Sequence, residues 1–273
     1  MDEYKIWIEP FLIYAICFLV FASVSLFASL LVFRYRKIKQ TQLIRKYTEL
    51  IDQMMLSVLF DNGSFITYKE DPEYSPLLKS KLFRDQMMSA VMNLHLNYEG
   101  TYAKRLEAFY FESHLITDSF RKLKANHWEI NCQAIEELSE MKVSTVFDLL
   151  VEISKSPNQI LKIAAIKGCI KLNGTKGLTH LVRHIHPLNI WAQLSIINAL
   201  KQGDIEHTEG IDLLLNSKNH TVVSLGLKII QTLQLSQFAV DIIRTMNTTD
   251  NQGIKLEAQQ VLAKVKIHIP IAV

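Results

Sequence analysis

Residues 158–173 read NQILKIAAIKGCIKLN, and the reading of this stretch decides the fold. Counting Asn158 as the first position, Leu161, Ala165 and Cys169 occupy the fourth, eighth and twelfth, so they share one face of a helix. The arrangement recurs downstream. Asn189 opens onto Ala192, Ile196 and Leu200, Asn219 onto Val222, Gly226 and Ile230, and Asn251 onto Ile254, Ala258 and Leu262. One copy precedes them, opened by His127 and carrying Ile130, Ala134 and Leu138. The openings lie 31, 31, 30 and 32 residues apart. A period in this range marks stacked supersecondary units in place of a single closed core. An Asn at the head of each helix suits an N-cap, because its side-chain oxygen accepts the orphan N–H groups of the first turn. The eighth position is Ala or Gly in four of five copies, which lets neighbouring helices approach closely; Ile196 is the exception.

A second apolar run follows in the first four copies: Val146–Val151, Leu178–Ile185, Ile211–Leu215 and Val240–Met246. Turn formers such as Asn173-Gly174 and Gly203-Asp204 join the runs, as an antiparallel helix pair requires. The last copy lacks a partner run and ends at Ile267-His268-Ile269-Pro270, where proline stops a helix. The small eighth column and the phrase Leu161-Lys162-Ile163-Ala164-Ala165-Ile166 resemble the short bacterial HEAT-like repeats over about residues 127–266. The resemblance implies an α-solenoid used as a binding surface. A minority of such arrays are enzymes, bilin lyases and DNA glycosylases among them, and an enzyme or lyase-type accessory factor is the alternative reading.

Ahead of the repeats, Phe11–Phe33 contains 23 residues without a charge, enough to cross a hydrocarbon core of roughly 30 Å at about 1.5 Å per residue. A cleaved signal peptide would begin basic; here Asp2, Glu3 and Glu9 outweigh Lys5. The run ends in Arg34, Arg36, Lys37 and Lys39, and such flanks stay on the cytoplasmic side. The expectation is therefore a single-pass protein of the cytoplasmic membrane, its N-terminus outside and its C-terminal domain in the cytosol. Trp7, Tyr14 and Tyr35 suit the interfaces, and Ser25 with Ser29 would let two spans touch in a homodimer.

The expected class is all-α, divided into a short N-terminus (1–10), a transmembrane helix (11–33), a juxtamembrane helical segment and cap (34–126) and HEAT-like repeats (127–273). Within the third part, Leu43, Tyr47, Ile51, Met54 and Val58 are spaced for a helical face continuing or following the span. Asp61 to Pro76 reads as an exposed loop, and 77–96 and 102–115 as helices rich in Met and large aromatics. Residues 34–126 carry 15 basic and 11 acidic groups, and 127–273 carry 14 and 13. The positive excess thus sits where anionic lipid headgroups would meet it, and the near-neutral repeats offer no basic stripe for nucleic acid. Three cysteines, Cys17, Cys132 and Cys169, define no disulfide framework and suit a reducing compartment.

Chemistry-bearing motifs are sparse. His180 and His184 lie four apart, a spacing that lets two imidazoles on one α-helix share a metal, with His186 nearby, but no HExxH accompanies them. Asn173–Gly177 lacks the spacing of a phosphate loop and reads as a turn. Glu136, Glu137 and Glu140 read as a solvated acidic face. No catalytic residue, cofactor site or metal site is assigned. What remains is surface. The second helices present Asp148, Glu152, Arg183, His184, Asp212, Asn216, Asp241 and Arg244, and mixed charge of this kind suits a protein partner, an integral membrane enzyme for example, better than a polyanion. The expected function is a membrane-anchored scaffold or adaptor in a biosynthetic or secretion complex.

Overall fold

The computed structural model of the chain describes the backbone of residues 3–61, 63–203 and 208–265, with side chains from residue 14 onward except residue 15. Among the described residues every regular element is helical and no strand occurs. The chain divides into two compact units, Met1–Val91 and Met92–Val273.

The first unit is dominated by α1 (Glu3–Phe60), 58 residues long, and adds α2 (Phe65–Glu70), a 3-10 turn (Leu77–Lys79) and most of α3 (Lys81–His95). From Ile16 to Phe33, α1 is exposed all round apart from half-buried Ala22, and it is long and apolar enough to cross a membrane. The same helix then changes character without a break. Tyr47, Leu50, Ile51, Met54, Met55, Val58 and Leu59 are buried at intervals of three and four residues, and Tyr47 meets the Phe83 ring edge-on with centroids 5.1 Å apart. Leu43, expected on that face, is 41% exposed, because the packing begins one turn later, at Tyr47. The stretch read as an exposed loop is also corrected. Ser64 caps α2 by accepting the Ile66 N–H, Phe65 and Tyr74 are buried, and the Tyr74 hydroxyl donates to the Leu50 carbonyl at 3.5 Å.

The second unit contains α4 (Thr101–Glu112), α5 (Leu115–Leu123), α6 (Trp128–Glu140), α7 (Phe147–Ile153), α8 (Gln159–Asn173), α9 (Ile190–Gln202), α10 (Ile211–Leu215), α11 (His220–Leu233), α12 (Ala239–Thr248) and α13 (Gln252–Lys264). All four repeat asparagines are N-caps. The Asn158 oxygen accepts from Ile160 and Leu161, Asn189 from Ala192, Asn219 from Thr221 and Asn251 from Ile254. His127 makes no side-chain cap bond, and Ile130 in its first turn is 37% exposed, whereas Ala192 and Val222 at the same position are fully buried. The eighth column is buried in every copy.

Packing runs from each opening helix to the next, α6 on α8, α8 on α9, α9 on α11 and α11 on α13, with α7, α10 and α12 packed against α8, α11 and α13. Hydrogen bonds also join neighbouring copies: Ser217 Oγ to Val182 O and Asn219 Nδ2 to His184 O each span 35 residues, and Thr175 Oγ1 to Glu209 O spans 34. The partner of α8 departs from the expected α-helix. Residues Gly174–Arg183 form a 3-10 helix, reached through Gly174 at φ +57°, a conformation that favours glycine. Residues 267–270, read as the end of the last copy, lie outside the described residues.

Candidate functional site

Two hollows in the second unit gather charged side chains. The first, about 690 Å³, is walled in part by His95, Glu136, Glu140, Lys142, Lys167 and Lys171. His95 closes α3 and is buried. Its Nδ1 lies 3.0 Å from Glu140 Oε1 and its Nε2 3.2 Å from Glu107 Oε1, while Lys171 pairs with the second Glu140 oxygen and Lys142 with Glu107 at 3.2 Å. The bond to Glu140 raises the His95 pKa against the opposing effect of burial, with Glu107 adding to it. Reciprocally, the bond to His95, with help from Lys171, holds the Glu140 carboxyl at about 2. When the ring is protonated, both its nitrogens donate to carboxylates and the imidazolium has no lone pair to act as a base. The cluster links His95, at the C-terminal end of α3, to Glu107 of α4, Glu140 of α6 and Lys171 of α8.

The acidic face read around Glu136 is corrected here. Glu136 is exposed, but Glu137 is 2% exposed and Glu140 takes part in the His95 cluster. Glu137 accepts from Ser119 Oγ at 2.6 Å, Lys122 Nζ at 2.5 Å and Gln133 Nε2 at 2.9 Å. Three donors from α5 and α6 satisfy the buried carboxylate and fix the contact between these helices. No sequence signal distinguished Glu137 from Glu136, since partners 4, 15 and 18 residues away supply the donors.

The second hollow, about 660 Å³, is lined among others by Lys155, His180, Arg183, His184 and His186. The spacing argument for the histidines assumed 3.6 residues per turn. In the 3-10 segment, residues three apart eclipse, so His180 lines up with Arg183, and His184 follows the helix in an extended conformation. Among the described residues, no three His, Cys, Asp or Glu side chains gather into a group able to hold a metal. His180 Nδ1 donates to Gly177 O at 2.8 Å, and Nε2 of both His180 and His184 is buried without a partner among the described residues. Burial lowers both pKa values, that of His184 to about 4 with Lys162 contributing. Gly177 makes the local path feasible: a Cβ there would stand 2.1 Å from the Cys169 carbonyl oxygen.

The eight residues expected to form a contact stripe are dispersed in accessibility. Asp148, Glu152, Arg183, Asn216 and Arg244 are exposed, Asp212 and Asp241 are half-buried, and His184 is buried. Glu152 pairs with Lys155 and Asp241 with Arg244, each three residues apart. Beside them stands an apolar series that the charge pattern concealed: Leu149 on α7, Leu213 on α10 and Ile243 on α12 are 46%, 44% and 41% exposed. In the first unit, Arg34, Arg36, Lys37 and Lys39 are exposed on α1, and the Trp7 side chain lies outside the described residues. Comparison with protein-family models, with curated proteins and with solved structures finds no match to this chain.

Proposed function

We propose that the chain is a single-pass, membrane-anchored scaffold whose repeats form a HEAT-like α-solenoid that holds a protein partner at the cytoplasmic face, with α4 and α5 capping the first copy. The observation that carries this reading is the continuity of α1, which passes from a fully exposed apolar stretch at Ile16–Phe33 to a buried core face from Tyr47. An exposed apolar helix of that length has a favourable environment in lipid. Arg34, Arg36, Lys37 and Lys39 at its C-terminal edge favour the cytosol and can meet anionic headgroups.

Support for the array comes from packing between successive opening helices and hydrogen bonds that join neighbouring copies. Support for a protein ligand comes from exposed Leu149, Leu213 and Ile243, which follow Asp148 and Asp212 and precede Arg244 in the chain, the apolar-within-polar composition of protein interfaces. Tethering raises the effective concentration of a partner in the same membrane, so modest affinity suffices. The test is crosslinking of the intact protein in native membranes, compared with a variant carrying Leu149→Ser, Leu213→Ser and Ile243→Ser. A defined crosslinked partner is expected with the intact chain and lost with the variant. An identical crosslinking pattern for the two would overturn the reading of this face.

A further inference from the structure

We propose that the hollow at the end of the 3-10 segment Gly174–Arg183 binds a phosphoryl oxyanion, a ligand beyond the protein partner already proposed, although Arg183 and His184 also belong to the expected contact stripe. Its lining contains Lys155, His180, Arg183, His184 and His186 and includes no Asp or Glu. Lys162 of α8 is 2% exposed and acts electrostatically on His184. Lys162 has no carboxylate partner among the described residues. The side chains that line the hollow thus gather basic groups with no carboxylate among them, which favours an anion there.

The imidazoles identify the chemistry. A carbonyl only accepts, so His180 Nδ1 carries the hydrogen that reaches Gly177 O, and the buried Nε2 of the neutral ring bears a lone pair. Hydrogen phosphate satisfies such an atom in two ways: its hydroxyl donates to the lone pair, or the ring takes up a proton and donates to a phosphate oxygen. A metal cation would satisfy the lone pair too, but Lys155, Lys162 and Arg183 would repel it and no third ligand is assembled. Glu152 pairs with Lys155 at 2.6 Å, yet both partners are more than half exposed, where such a pair contributes little. Lys218 lines the adjoining hollow with Arg183, His184 and Ile185, so the loop after α10 adds positive charge as well. At about 660 Å³ the hollow exceeds a bare phosphate, and Val151, Thr179 and Ile185 leave room for an esterified substituent.

Because burial keeps His180 and His184 neutral without a ligand, oxyanion binding raises their proton affinity and draws protons from solution. The test is calorimetric titration of the full chain in neutral detergent with inorganic phosphate, at one pH in two buffers of different ionisation enthalpy. Saturable binding with net proton uptake is expected. Lys155→Gln combined with Arg183→Gln is expected to weaken binding at least tenfold, and His184→Gln to reduce the proton uptake with the helical circular dichroism unchanged. Absence of saturable binding, or binding unaltered in both variants, overturns the proposal. Repeating the phosphate titration in nanodiscs of phosphatidylcholine with and without phosphatidic acid identifies the source. Loss of phosphate binding in the acidic discs assigns the site to a lipid headgroup, and retention assigns it to a soluble phosphate compound.

Discussion

Replacing Asn219 with alanine tests how neighbouring copies are held together. Asn219 accepts the Thr221 N–H as a cap at 3.1 Å, and its Nδ2 donates to the carbonyls of His184 at 3.0 Å and His186 at 2.9 Å, which belong to the preceding copy. The lost cap costs about 1 kcal/mol and each carbonyl left without its donor about 0.5–1 kcal/mol, for a total of about 2–3 kcal/mol. Asn251 supplies the comparison. Its side chain caps Ile254 at 3.2 Å, so Asn251→Ala is expected to cost about 1 kcal/mol. Hydrogen exchange read by mass spectrometry on the full chain in detergent reports the opening of each helix separately. Amides of α11 in Asn219→Ala are expected to exchange roughly 30- to 150-fold faster, and those of α13 in Asn251→Ala about fivefold faster, since about 1.4 kcal/mol is a factor of ten. Equal effects in the two variants would refute the assignment of stabilising bonds between copies.

Three further outcomes follow from particular contacts. The stabilisation from His95, whose pKa lies above the ordinary 6.5, is complete below that value and is lost as pH rises through the folded one; that from Glu140, held at about 2 against 4.5, is present above 4.5 and lost as pH falls towards 2. Thermal unfolding across this range is therefore expected to show a plateau between the two limits, with His95→Gln removing the alkaline decline. Gly177→Ala places Cβ 2.1 Å from the Cys169 carbonyl and is expected to cost about 3 kcal/mol or more, whereas Gly226→Ala meets only Leu214 and Leu215 side-chain atoms at 3.1 and 3.2 Å and is expected to cost about 1 kcal/mol, measured by denaturant unfolding. Phe27→Asp, near the middle of the apolar stretch, costs about 3 kcal/mol of insertion free energy, and alkaline extraction of membranes is expected to release a larger fraction of that variant.

The features legible in the residues are those set by local chemistry. An Asn followed by apolar residues four apart encodes both its cap and its buried face, and all four asparagines behave accordingly. His127 shows the limit of reading by register, because it occupies the same position without making the cap bond. What escaped depends on neighbours distant in the chain. Glu137 and Lys162 look like surface charges on an amphipathic pattern, yet both are buried once α5 and the neighbouring elements close over them. The histidine spacing carried a meaning valid for 3.6 residues per turn, and a tight 3-10 helix behind Gly174 changed that geometry. Leu149, Leu213 and Ile243 belong to the second apolar runs, and their exposure was not legible there because exposure of an apolar residue at a helix edge depends on where its neighbour ends.

The unbroken α1 has a mechanical consequence. Between Arg34 and Tyr47 it is a free stalk of about 20 Å at 1.5 Å per residue, with no proline or glycine to serve as a joint. Once its apolar stretch is seated in lipid, any change of tilt or rotation imposed by bilayer thickness is carried by this lever into the buried residues from Tyr47 to Leu59. In the anchored scaffold proposed above, the first folded unit would be oriented by the membrane as well as attached to it.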